Sequence, residues 1–125
     1  MSLKIKKNTL LIDQHDKNFM YGGKFGGNFI PETLKKPIED LTKLFAKLRK
    51  NKKFLRERDH YFNSYVGAPT PFIKLENLSD NLGGAQIYAK VVSEANGGAH
   101  KIYNATVHCL IAKKAGKKYV VGDTG

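Results

Sequence analysis

Two glycines, a histidine and a lysine stand directly ahead of a helical pattern in the stretch GGAHKIYNATVHCL, Gly97 to Leu110. Glycines there leave backbone N–H groups uncovered, and the positive end of the helix dipole adds to them, so the turn suits a phosphate or similar anion. The same field opposes a charge on a lysine at the first helical position, Lys101. An uncharged amine is the form that attacks a carbonyl to make a Schiff base. One short segment therefore offers a phosphate cradle beside a Schiff-base lysine, and pyridoxal phosphate needs both. Taken alone, the segment has a plainer reading as an ordinary lysine after a glycine turn. It is not a P-loop, because no Lys-Ser or Lys-Thr follows the glycines at the required spacing.

The other reactive side chains offer less. His15, His60, His100 and His108 lack metal-ligand spacing with one another, with Cys109 or with carboxylates, so no metal site is expected. Cys109 lies among Val107, Leu110 and Ile111 and reads as a buried structural thiol. No Gly-x-Ser-x-Gly elbow is present.

The elements that must carry Lys101 follow from periodicity. Residues 1 to about 20 are weakly patterned and read as an extension or as a short strand around Thr9–Ile12. Gly22, Gly23, Gly26 and Gly27 make an ordered turn or a flexible arm, and Tyr21, Phe25 and Phe29 favour order because their rings need burial. Leu34, Ile38, Leu41, Leu44, Phe45 and Leu48 share one face of a helix expected from Pro31 to Lys50. Pro31 suits its first turn, and Pro37 either kinks it or marks its true start. A second helix is expected from Lys53 to about Tyr65, broken by Pro69 and Pro71. Ala85–Val92 reads as a buried strand, Lys101–Ala115 as a helix capped by Gly116, and the residues through Val121 as a further strand. Strand, helix and strand at this spacing predict a βαβ unit of a parallel sheet, hence an α/β class. One such unit with two upstream helices covers a parallel sheet poorly, so the chain is expected to be part of a larger fold.

Composition bounds the function. A chain of 125 residues holds one modest domain. Its 22 Lys and Arg against 11 Asp and Glu give a net charge of +11, which favours acidic partners. The basic runs Lys47–Arg58 and Lys113–Lys118 carry no base-reading pattern, so nucleic acid is not the expected ligand. A single cysteine excludes an internal disulfide and suits a reducing compartment. No signal-peptide pattern or membrane-length apolar run occurs, so a soluble cytoplasmic protein is expected.

Four stretches occur in one order: YGGKFGGNFIPETL, YVGAPTPF, GGAHKIYNA and AKKAGKKYVVGDTG. Together they resemble the N-terminal portion of the tryptophan synthase β-chain family, pyridoxal-phosphate enzymes of fold type II, over roughly Tyr21 to Gly125. The resemblance implies an incomplete domain over 21–125 and leaves residues 1–20 as an N-terminal extension. It implies that Lys101 holds pyridoxal phosphate covalently, that His100 lies beside its phosphate, and that Asp123 is the acid/base group. Thr124 and Gly125 would open the loop that binds the substrate carboxylate. The implied reaction of the full-length enzyme, a lyase of tryptophan biosynthesis, is β-replacement on L-serine with indole. The implied partners are a second β chain and an α chain that supplies the indole. The sequence departs from the family where Asp123 replaces a glutamate, Tyr103 an asparagine and Ala68 an arginine, and where Lys90–Glu94 loses an arginine and an acidic pair. A β-replacement enzyme with another nucleophile, and a non-catalytic basic binding or subunit-contact module, are the alternatives. A chain ending at Gly125 lacks the family's distal phosphate loop and is expected to be inactive by itself.

Overall fold

The computed structural model describes residues 9–123, in two compact units that meet between Glu39 and Asp40. In the first unit Asp16 organises a tight turn. Its Oδ1 accepts from the N–H groups of Asn18 at 2.8 Å and Met20 at 2.9 Å. These hydrogen bonds to the ionised form hold the Asp16 carboxyl below the usual range. The turn launches a hairpin of β1 (Met20–Tyr21) and β2 (Phe25–Gly26), paired antiparallel with Tyr21 opposite Phe25. The glycine-aromatic segment therefore forms a hairpin, but not through burial of its rings as expected: Phe25 and Phe29 are exposed and Tyr21 is half-buried, while the His15 ring stacks on Phe19 at 4.7 Å. The strand expected at Thr9–Ile12 is instead a 3₁₀ turn over Leu11–Asp13. A strand needs a ladder partner, whereas here Asp13 N–H donates to the Leu10 carbonyl and Gln14 N–H to that of Leu11, both at 2.9 Å.

Helix α1 (Glu32–Leu48) begins one residue after Pro31 and continues through Pro37. The turn after it ends at Asn51, whose side chain accepts from Lys53 N–H at 2.9 Å and Phe54 N–H at 3.0 Å. That cap starts α2 (Lys52–Tyr61), which has no acidic residue in its first turn. The chain then widens into a π-type turn over Phe62–Val66, closed by Gly67. The bond between Ala68 and Pro69 is cis.

The next segment places β3 (Phe72–Lys74) antiparallel to β4 (Tyr88–Lys90), with Ile73 opposite Ala89. Between them lies α3 (Glu76–Leu82), which the apolar periodicity did not reveal. Buried Ser79 ties it down: its hydroxyl donates to the Leu75 carbonyl at 2.7 Å and accepts from Ile87 N–H at 2.9 Å. Helix α4 (Lys101–Lys114) follows. It ends in a Schellman motif, with Gly116 N–H on the Lys113 carbonyl at 3.1 Å and Lys117 N–H on that of Ala112 at 3.0 Å. Gly116 adopts φ +71°, as that motif requires.

Leu48, Phe54, Leu110 and Ile111 form the core of the second unit, with Leu44, Leu55 and Val107 packed half-buried against it. It joins the C-terminal end of α1 to α2 and α4, whereas Leu34, Ile38, Leu41 and Phe45, the rest of the apolar stripe of α1, remain exposed. At the rim Glu57 of α2 pairs with Lys114 at 2.6 Å and Lys113 at 3.6 Å on α4. The Lys114 hydrogen bond, reinforced by the charge of both lysines, holds the Glu57 carboxyl below its ordinary value.

Three sequence expectations are corrected here. Among the described residues the sheets are two-stranded and antiparallel, and residues 115–123 form no strand, so the parallel βαβ unit is absent. Parallel strands are stable when both faces are covered, yet Tyr119, Val120 and Val121 are largely exposed. The strand expected over Ala85–Val92 shortens to Tyr88–Lys90 and is largely exposed, not buried. Cys109 is exposed. Each residue turns a helix by about 100°, so the rotation that buries Leu110 and Ile111 carries Cys109 off the core face, beside small Ala105 and Ala112.

Candidate functional site

The segment leading to Lys101 is anchored from both sides. Val91 N–H donates to the Pro71 carbonyl and Asn96 N–H to the Val66 carbonyl, both at 2.9 Å. Val66 is fully buried and Ala95 nearly so. The Lys90 ammonium donates to the Thr70 carbonyl. These contacts fix residues 90–96 against 66–71, and the glycine turn starts from that platform.

Gly97 and Gly98 both have left-handed backbones, φ +87° and +71°, which a side chain would strain, and a Cβ on either would meet nothing within 4 Å. Gly98 N–H returns to the Ala95 carbonyl at 2.8 Å. Ile102 and Tyr103 N–H groups bond back to Ala99 and His100 at 3.5 and 3.2 Å. The N–H groups of Ala99, His100 and Lys101 have no protein acceptor among the described residues. Free donors at the positive end of a 14-residue helix are what an anion needs.

Lys101 is the first residue of α4 and is exposed, as is His100 before it. Neither side chain has a hydrogen bond or ion pair among the described residues. Tyr103 lies two residues on and sets its ring edge against Phe62, with centroids 5.4 Å apart, so this residue packs α4 on the π-type turn. Asp123 is exposed in the irregular stretch after the cap, and no hydrogen bond or ion pair joins it to Lys101. Thr124 and Gly125 lie outside the described residues. The glycine turn, His100 and Lys101 thus form one continuous turn at the start of α4, and no hydrogen bond or ion pair among the described residues ties Asp123 to it.

Thr70 was not singled out by sequence. It is buried, and its hydroxyl has no hydrogen-bond partner among the described residues. A small polar residue between two prolines was the available signal. No group of three or more His, Cys, Asp or Glu among the described residues is placed to hold a metal ion, and no described helix is long and apolar enough to cross a membrane.

No family model matches the chain. It is, however, 44% identical over 105 residues to the tryptophan synthase β chain of Leptospira biflexa serovar Patoc, strain Patoc 1, in both the Ames and Paris lines. The match covers 84% of this chain and 26% of the relatives, so the chain spans about a quarter of the length of the curated relatives it matches. What the chain resembles is therefore part of a longer subunit. That subunit is the tryptophan synthase β chain, and the chain corresponds to an N-terminal portion of it.

Proposed function

We propose that the complete protein is a pyridoxal-phosphate enzyme that condenses L-serine with indole to form L-tryptophan, and that this chain supplies its cofactor-attachment lysine. The observation that carries the reading is the 44% identity over 105 residues, a span that includes most of this chain. The local geometry fits the cofactor's anionic end. The free N–H groups of Ala99, His100 and Lys101 would hold the phosphate, with His100 beside it.

When bound, pyridoxal phosphate supplies an electron sink that makes the serine hydroxyl a feasible leaving group. The chain's own residues do the rest. The Lys101 amine would hold the cofactor from the same helix terminus whose N–H groups would bind its phosphate. In this reading Asp123 moves the proton, and Thr124 and Gly125 bind the substrate carboxylate. A second β chain and an α chain are the partners in this reading. The enzyme works in the cytoplasm as a lyase of amino-acid biosynthesis.

The test is borohydride reduction of the complete protein with pyridoxal phosphate, followed by peptide mapping. A label on Lys101 is expected, with Lys101→Ala abolishing it and leaving the helical signal intact. Asp123→Asn should keep the label and lower turnover. A label on another lysine, with Lys101 unmodified, would overturn the assignment.

A further inference from the structure

Lys90 is the last residue of β4 and stands opposite Phe72. Side chains alternate along a strand, so it shares a face with the Phe72 and Tyr88 rings, which stack at 5.1 Å. A lysine in so exposed a place ordinarily leaves its ammonium in water. Here the ammonium turns onto the carbonyl of Thr70, a residue 20 positions back that is only 3% exposed. No backbone N–H among the described residues donates to that carbonyl, and a buried carbonyl without a donor is destabilising. Lys90 therefore completes a joint whose other bonds are those of Val91 to Pro71 and Asn96 to Val66.

What the joint controls is the start of α4. The buried residues of that helix, Leu110 and Ile111, lie in its second half. The turn before Lys101 has little hold of its own: Gly98 N–H bonds back to Ala95, and Gly97 and Gly98 have no side chains to pack. The place of Lys101 is thus inherited from residues 90–96 on one side and from Tyr103 against Phe62 on the other. Both supports rest on the segment that runs from the π-type turn at Phe62 to Thr70 and Pro71. We infer that Lys90 is a positioning residue for Lys101: its hydrogen bond to the Thr70 carbonyl sets where the loop delivers that amine. The inference rests on the cofactor reading above and adds a residue that acts through the loop. A displacement of about 1 Å at a reacting group can cost about 100-fold in rate. The core of Leu48, Phe54, Leu110 and Ile111 does not depend on Lys90, so turnover should suffer before folding does.

The test uses the complete protein with pyridoxal phosphate, assayed for turnover of L-serine with indole and then reduced with borohydride. Turnover is expressed per labelled Lys101, which removes any loss through misfolding. Lys90→Met keeps the aliphatic stem and deletes the donor. It should retain the label on Lys101 and lower kcat about 10- to 100-fold. The KM for L-serine should stay within about twofold, as it does when orientation and not binding is lost. Lys90→Arg can still donate to a carbonyl and should recover most of the rate. Lys74→Met, on the exposed neighbouring strand β3, controls for the lost charge, and Asn51→Ala, which uncaps α2, controls for lost stability. Both should keep the parental kcat. An unlabelled Lys101 in the parent would refute the cofactor reading and this inference with it. With that label in place, a parental kcat in Lys90→Met, no recovery in Lys90→Arg, or an equal loss in either control would refute this inference alone. So would activity in Lys90→Met that falls only in step with the label.

Discussion

Leu110 and Cys109 are neighbours in sequence and opposites in environment, which makes them a sharp test of the α4 orientation. Leu110 is 6% exposed in the cluster with Leu48, Phe54 and Ile111, whereas Cys109 faces solvent. Leu110→Ala removes three carbons from the core. At about 0.8 kcal/mol per buried carbon the transfer loss is about 2.4 kcal/mol. A residual cavity adds roughly 24 cal/mol per Å³. Half-buried Leu44, Leu55 and Val107 ring the site and have room to move in, so the cavity should largely collapse. The expected total is about 2.5–3 kcal/mol, near the low end of such substitutions. Cys109→Ala should change stability by no more than about 0.5 kcal/mol, as an exposed substitution does. The assay is urea denaturation followed by helical circular dichroism, with the denaturant slope checked for constancy among variants. Similar losses from the two substitutions, or a Leu110→Ala loss below about 1 kcal/mol, would refute the packing of α4 described here.

Cys109 in the folded chain should react with a thiol reagent at close to its rate in the denatured chain; strong protection would contradict its exposure. Glu57 has a folded-state pKa below its ordinary value of 4.5, so the contact between α2 and α4 is at full strength above that value and weakens as pH falls through the folded pKa. Thermal midpoints measured downward from pH 5 should fall less steeply in Glu57→Gln than in the parent, and equal slopes would dismiss the pairing. Asn51→Ala removes the side-chain acceptor for two N–H groups of α2 and should cost about 1 kcal/mol, read by denaturant midpoint. Retention of full stability would mean that water or another group caps the helix equally well.

Much of the local structure around Lys101 could be read from the chain alone. The glycine pair, the helix starting at Lys101 and the Gly116 stop depend on backbone preference within a few residues, and α4 appears over Lys101–Lys114 with its left-handed cap. The apolar stripe of α1 likewise predicted a helix that the structure places at Glu32–Leu48. The family resemblance is also a property of residue order, and the 44% identity agrees with it. Helix α3 was not legible because it is held by Ser79, a polar residue whose hydroxyl bonds span from Leu75 to Ile87. Strand pairing was misjudged because a strand's partner is chosen by distant chain: β4 meets β3 antiparallel, while Tyr119–Val121 remain exposed. Exposure of Cys109 was missed because an amphipathic pattern locates the apolar stripe only to within a residue or so, and contact with Leu48 and Phe54 selects the rotation. The residue types at the site were determined by sequence alone. Chain adjacency alone places Gly97, Gly98, His100 and Lys101 side by side, whereas tertiary structure decided what that turn rests on, since the Val91–Pro71 and Asn96–Val66 hydrogen bonds join segments that periodicity treats one at a time.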